Sequence, residues 1–209
     1  VPQWAQAIDY GDFDINYVIL RHLIDEAKKR NMYIILNIAH NFPTGAFIDG
    51  HRDEWINEYI YDLEQINAFN CTNIIFDLAN EYTGTQSNII AHYNAMIQAL
   101  RDPNYPSKTL KVAYNHPIYM NYWWNHNIEQ CTRQVKDPIN NFMVGMHCYA
   151  QSNNFDDYDT PGTFMEVCQD SGIENYFQNY LFPTKIQPVL DLGVKFCMGE
   201  VGSGWDYKY

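Results

Sequence analysis

Asn73-Ile74-Ile75-Phe76-Asp77-Leu78-Ala79-Asn80-Glu81-Tyr82 is the stretch that decides the fold. Residues 73–79 form a short run of β-branched and large apolar side chains without strict alternation, the pattern of a strand covered on both faces. Segments of helical spacing flank it: Ile56, Tyr59, Ile60 and Leu63 before, then Ile89, Ile90, Tyr93, Met96, Ile97 and Leu100 after. Helix, buried strand, helix is the unit of a mostly parallel sheet, and it closes on two polar residues, Asn80-Glu81.

The same unit recurs outward in both directions. Toward the N-terminus, a helix is expected at about 15–30, with Asp14 as its N-cap, a stripe of Ile15, Val18, Ile19, His22 and Leu23, and Lys28-Lys29-Arg30 at its dipole-favoured end. A strand over 32–39 follows and ends at His40-Asn41, and a loop carrying Pro43, Gly45 and Gly50 leads to the next helix. Toward the C-terminus, Ser87 is the expected cap of the helix that Asp102-Pro103 and Tyr105-Pro106 break. Residues 110–114 read as a short strand, followed by the aromatic segment 119–124 and a polar helix through Cys131. A strand over 142–148 ends in His147-Cys148-Tyr149, and a loop over 149–172 carries Pro161-Gly162 and the acids Asp156, Asp157 and Asp159. Helical residues interrupted by Pro183 and Pro188 precede a last strand over 194–198, closed by Gly199-Glu200. The expected architecture is a single α/β domain over residues 1–209: a (β/α)8 TIM barrel, incomplete, with about five βα units.

Composition narrows the function classes. The 209 residues include 13 Lys and Arg against 25 Asp and Glu, a net charge of −12 that repels phosphate backbones and anionic membrane surfaces. Neither nucleic acid nor a membrane is an expected partner. Aromatic residues make up 16% of the chain, a supply suited to stacking flat rings such as sugars as well as to filling a core. Cys71, Cys131, Cys148, Cys168 and Cys197 include no CxxC and no zinc spacing, so no metal is expected, and no phosphate loop or dinucleotide fingerprint points to a cofactor. Cys148 and Cys197 lie in strand-like runs and read as buried free thiols, with a Cys131–Cys168 bridge as the alternative to an unpaired set. No apolar stretch reaches a membrane-spanning length, and the first ten residues, VPQWAQAIDY, lack the basic and apolar regions of a signal peptide. Asn70-Cys71-Thr72 fits the glycosylation sequon, a pattern that often occurs by chance.

In parallel βα folds the C-terminal strand ends share one face, and four strands here end in polar groups: His40-Asn41, Asn80-Glu81, His147-Cys148-Tyr149 and Gly199-Glu200. Two glutamates across a sugar-sized cleft are the working parts of glycoside hydrolysis. A separation of ~5 to 5.5 Å lets the second carboxylate attack and retains configuration, whereas ~6.5 to 9.5 Å admits a water and inverts it. Asn80 is placed to hydrogen-bond a sugar 2-hydroxyl, Tyr149 to orient the attacking carboxylate, and His40 and His147 to hold sugar hydroxyls. Trp123-Trp124 offer a sugar platform, although one of two adjacent tryptophans usually packs inward. Asp77, within a strand, reads as a polar residue of the barrel layer, and His22, His51 and His92 as surface or packing residues.

IIFDLANEY resembles the strand-four motif of glycoside hydrolase clan A, MHCY its strand-six His-x-Tyr, and FCMGEVG the strand-seven nucleophile motif of glycoside hydrolase family 5. LNIAHN is similar to the strand-three ending in His, and Val1-Pro2-Gln3-Trp4 resembles the end of strand two. The resemblance implies that Glu81 is the acid/base, Glu200 the nucleophile, Asn80 and His147 substrate-binding residues, and Tyr149 the partner of the nucleophile. It also implies that the chain begins after the family's first strand and its Arg and stops before an eighth strand and its Trp. The expectation is a secreted, retaining, endo-acting hydrolase of a β-linked glucan or mannan, working without a cofactor. The alternative is a catalytically silent carbohydrate-binding barrel. An aldolase or isomerase would want a lysine or metal ligands at the strand ends, and these strand ends offer neither.

Overall fold

The computed structural model describes residues 13–37, 50–79, 82, 84–123, 126–150 and 177–203, with the backbone alone at 13–16, 123, 148–150 and 200–203. Along these residues helix and strand alternate: α1 (Phe13–Lys29), β1 (Ile34–Asn37), α2 (Arg52–Gln65), a 3-10 turn (Ala68–Asn70), β2 (Ile74–Asp77), α3 (Gln86–Arg101) and β3 (Ile118–Trp123). Then come α4 (Ile128–Thr132), β4 (Phe142–Ala150), a π-helical stretch (Phe177–Ile186), α5 (Gln187–Leu190) and β5 (Lys195–Ser203). The five strands form one sheet in the order β1-β2-β3-β4-β5, and every neighbouring pair is parallel. Strand order that follows the chain without reversing is barrel winding; a doubly wound sheet reverses at a switch point. The chain therefore forms five consecutive strands of a (β/α)8 barrel.

The core lies between the sheet and its helices. α2 contributes Ile56, Tyr59, Ile60 and Leu63, and α3 contributes Ile89, Tyr93, Met96, Ile97 and Leu100, all buried at the expected helical spacing. They meet Leu36, Ile74, Phe76, Ile118, Met120, Tyr122, Val144 and Met146 on the outer face of the strands. Each such aliphatic side chain stabilises the fold by roughly 1.5–3 kcal/mol relative to exposure.

α1 departs from the expected stripe. Val18, Ile19 and Leu23 are half or more exposed, while Ile24 is buried and Tyr17 and Leu20 pack beside the core. Residues 17, 20 and 24 make a second helical stripe on the same helix, and two long-range ties select it. The Tyr17 hydroxyl donates to the Asp62 carboxylate of α2, and Asn73 Nδ2 donates to the Ile24 carbonyl at 3.2 Å. The helix begins at Phe13, which places Asp14 inside its first turn rather than before it. The cap of α3 is Thr85, whose hydroxyl accepts from Asn88 N at 3.3 Å; Ser87 lies within the helix.

The expected strand at 110–114 is replaced by β3, in the aromatic segment itself. Ile118, Met120 and Tyr122 face the helices and Tyr119 and Asn121 alternate with them, whereas Leu110 and Val112 are exposed. Residues 110–114 instead wrap the end of α3. Buried Lys108 donates to the carbonyls of Leu100, Asp102 and Val112 at 2.8, 2.7 and 3.0 Å, satisfying helix-end acceptors, and stands 4.4 Å from the Tyr114 ring centre. Burial pushes the Lys108 ammonium pKa down to about 8. Cys131 is a free, buried thiol, so the Cys131–Cys168 bridge does not form, and burial pushes its pKa up to about 12. Cys197 is free but only half-buried, because β5 lies at the edge of the sheet among the described residues. The acidic loop expected at 149–172 falls outside the described residues beyond Ala150.

Candidate functional site

The C-terminal ends of β3, β4 and β5 define one rim. Trp123 is the Cα partner of His147, and His147 in turn is the partner of Glu200, so the three positions share one level of the sheet. Tyr149, beside Gly202, is two positions further along. Between β4 and β5 the register slips: Met146 pairs with Met198 but His147 with Glu200, leaving Gly199 as an additional residue. A bulge of this kind exchanges the face of every later position on its strand, because side-chain direction has a period of two.

Glycine is required at the bulge for space. A Cβ on Gly199 would collide with the Tyr119 hydroxyl and stand 2.7 Å from His147 Nε2. One level below, a Cβ on Gly145 would collide with the same hydroxyl and with the Cys197 carbonyl. Tyr119 and His147 are 1% and 3% exposed, so both rings occupy fixed places in the floor beneath the rim.

A second polar group joins β1, β2 and β3. Buried Asp77 accepts from Asn37 Nδ2 at 2.9 Å and from Asn121 Nδ2 at 2.9 and 3.2 Å, and the same Asn121 nitrogen donates to the Ala79 carbonyl at 2.7 Å. An amide nitrogen carries two hydrogens, so one serves the carboxylate and the other Ala79. Two buried tyrosines hold the same strands from outside. Tyr59 of α2 donates to the Asp77 carbonyl at 3.1 Å, and Tyr93 of α3 to the Asn121 carbonyl at 2.6 Å. Burial, reinforced by neighbouring groups that include the Asp77 charge, raises both phenol pKa values well above the usual range and keeps them as neutral donors. Beyond Ala79, Tyr82 is buried with its ring stacked on buried His92 at 5.3 Å, and a Cβ on Gly84 would collide with that ring.

Of the residues singled out in the sequence, His147 is fully placed, buried at the rim. Glu200, Tyr149 and Trp123 are placed by backbone and register. Trp123 is the last residue of β3 and not part of a following loop. Glu81, Asn80, His40, Asn41 and Trp124 lie outside the described residues. Asp77 is a polar residue of the interior layer, as its place in the strand suggested. His92 packs in the core, and His116 stacks on Phe76 at 4.6 Å with Nε2 2.7 Å from the Cys71 carbonyl, its pKa lowered chiefly by burial. Sequence reasoning missed Asn37, Tyr119, Asn121 and Gly145. The signal was present in Ile118-Tyr119-Met120-Asn121-Tyr122-Trp123, a period-two run with an amide on one face.

A family model described as cellulase, glycosyl hydrolase family 5, matches residues 5–207. Among solved structures, the chain is similar to a GH5-4 broad specificity endoglucanase from an uncultured bacterium, with a TM-score of 0.57 and 11% identity. That match covers 92% of this chain and 59% of the endoglucanase chain, so the present chain spans well under two thirds of its neighbour's length. No curated protein sequence matches.

Proposed function

Because the chain belongs to glycosyl hydrolase family 5, we propose that it carries the catalytic centre of a retaining, endo-acting hydrolase of a β-linked glucan or mannan. The observation that carries this reading is the bulge at Gly199, which sets Glu200 level with His147 and Trp123 on the rim of the barrel. The anchoring of Ala79 by Asn121, two residues before Glu81, supports placing the second carboxylate at the same rim. In this mechanism Glu81 donates its proton to the departing glycosidic oxygen while the Glu200 carboxylate attacks the anomeric carbon, forming a glycosyl ester. Glu81, now a carboxylate, takes a proton from water, and the resulting nucleophile displaces Glu200 to regenerate both groups. Each displacement inverts the anomeric carbon, so the product keeps the starting configuration. The Glu200 charge helps keep Glu81 protonated near neutral pH. Asn80 and His40 bind sugar hydroxyls, His147 supports the rim, Tyr149 orients Glu200, and Trp123 or Trp124 supplies a face for a sugar ring. A polymeric substrate makes secretion the matching location.

Azide tests the assignment in the full-length protein. Glu200→Ala abolishes turnover. Glu81→Ala is slow, and azide restores a measurable rate on an activated aryl glycoside, yielding a glycosyl azide of retained configuration. Unchanged activity in either variant removes the mechanism. Oligosaccharide binding by the wild-type protein without release of reducing ends identifies a silent carbohydrate-binding barrel instead.

A further inference from the structure

Asn121 makes more contacts than strand packing asks of it. Its amide nitrogen joins the Asp77 carboxylate to the Ala79 carbonyl, while its own carbonyl is held from the helix layer by Tyr93. It is 1% exposed, so both of its donor hydrogens are committed inside the protein. Ala79 lies past the end of β2, where sheet pairing no longer fixes the backbone, and a side chain of β3 does so in its place. On the far side of Asn80-Glu81, the Tyr82 ring is held between His92 and Gly84. In sequence, Asn80 and Glu81 fall between two buried residues, Ala79, whose carbonyl Asn121 holds, and Tyr82, whose ring stacks on His92.

Resting on the assignment of Glu81 as proton donor, we infer that Asn121 is a positioning residue for the acid step: its bridge from Asp77 to Ala79 sets where the chain presents the Glu81 carboxyl. A proton donor must come within hydrogen-bond reach of the leaving oxygen, and a displacement of about 1 Å costs on the order of a hundredfold in rate. The effect is selective. A poor leaving group needs the proton, whereas dinitrophenolate departs without one.

The test is a leaving-group comparison in the full-length protein, using an unactivated oligosaccharide and a 2,4-dinitrophenyl glycoside of the same sugar. Asn121→Ala lowers kcat/KM on the first by at least about tenfold and on the second by less than about threefold, matching the pattern of Glu81→Ala in direction. Should that variant fail to fold, Asn121→Ser retains a hydroxyl too short to span Asp77 and Ala79 together, and it shows the same split. Equal losses on both substrates, or no loss on either, overturn the proposal, because damage to the fold does not discriminate between leaving groups. A Glu81→Ala enzyme that shows no split removes the proton-donor assignment and this inference together. A split in Glu81→Ala beside none in either Asn121 variant removes this inference alone.

Discussion

Gly199→Ala perturbs the bulge with a single methyl group, and its cost can be worked from what surrounds it. The added Cβ would collide with the Tyr119 hydroxyl and sit 2.7 Å from His147 Nε2 and 2.9 Å from His147 Cδ2. Both rings are buried, so neither can swing into solvent to make room. Overpacking of this kind costs about 1–3 kcal/mol. At about 2–4 °C per kcal/mol for a chain of this size, the melting temperature falls by roughly 2–12 °C. Two other glycines calibrate the number. Gly193 has φ of +74° and nothing within 4 Å of its Cβ position, so Gly193→Ala meets only the left-handed backbone penalty of about 1–2 kcal/mol. Gly50 has neither a positive φ nor a neighbour within 4 Å, and Gly50→Ala is neutral or stabilising by up to about 1 kcal/mol.

The collision also predicts a coupling. Tyr119→Phe removes the hydroxyl, so it relieves one of the two contacts at Gly199 and restores part of the lost stability, and the double-mutant cycle is non-additive. At Gly145 the same second change brings less relief, because the added methyl also meets the Cys197 carbonyl, which cannot rotate away. Thermal unfolding of the three single and two double variants, with kcat/KM beside it, reads both effects. A Gly199→Ala protein as stable as its parent, or a cycle with Tyr119→Phe that sums without coupling, refutes the packing of Tyr119 beneath the bulge.

The pair of Arg101 and Asp137 gives the fold an acid limb. Arg101 Nε and Nη2 meet the two carboxylate oxygens at 2.9 and 3.0 Å, and both side chains are essentially buried. Burial raises the Asp137 pKa, but hydrogen bonds and charge from Arg101, with the Asn141 and Ile139 amides, outweigh it and hold the pKa below its ordinary value. A depressed carboxylate contributes stability fully above its unfolded pKa of about 3.9 and loses it as pH falls through the folded value, so urea midpoints drop below about pH 4. Asp137→Asn flattens that slope and lowers stability at pH 7 by about 3–5 kcal/mol, and an unchanged slope contradicts the pairing. Leu63→Ala, at a fully buried position of α2, costs about 2–5 kcal/mol by urea denaturation with the leaving-group ratio unchanged, and a changed ratio contradicts the separation of core from site.

The parts of this fold that were legible in the sequence are those where one physical effect dominates. α2 and α3 each carry one apolar stripe against polar residues, so spacing alone identified the buried face. α1 carries two apolar stripes, and ties to residues 62 and 73, far away in sequence, decide between them. The segment 110–114 is apolar enough for a strand, but Lys108 draws it across the end of α3. β3 was obscured because its outer face contains Tyr122 and its inner face Tyr119, so aromatic content hid the alternation. At the site, His147 and Glu200 were expected to close their strands, but both strands run three residues further, to Ala150 and Ser203, and His40, Asn80 and Glu81 lie outside the described residues. The supporting residues were not legible, because an asparagine bonding to a carbonyl one βα unit of chain away leaves no local pattern.

The inner face of the sheet explains why any chemistry would sit at one end of it. Toward the strand starts this face carries apolar residues, Ile35, Ile75 and Met143, while Asn37, Asp77, Asn121 and His147 come from the later halves. A buried polar network is favourable only when its donors and acceptors are matched, and Asp77 is matched by amides from the strands on both sides of it. That requirement ties the polar layer to parallel pairing in register: moving β3 by one residue would turn Asn121 toward the helices and leave the Asp77 carboxylate short of a donor. The outer face fixes the same register through Met120 and Tyr122, so packing and polarity select one alignment independently. A rim assembled from separate strands can hold chemistry only if that alignment is unique, and the polar layer immediately beneath it excludes the alternatives at the point where an error would matter most.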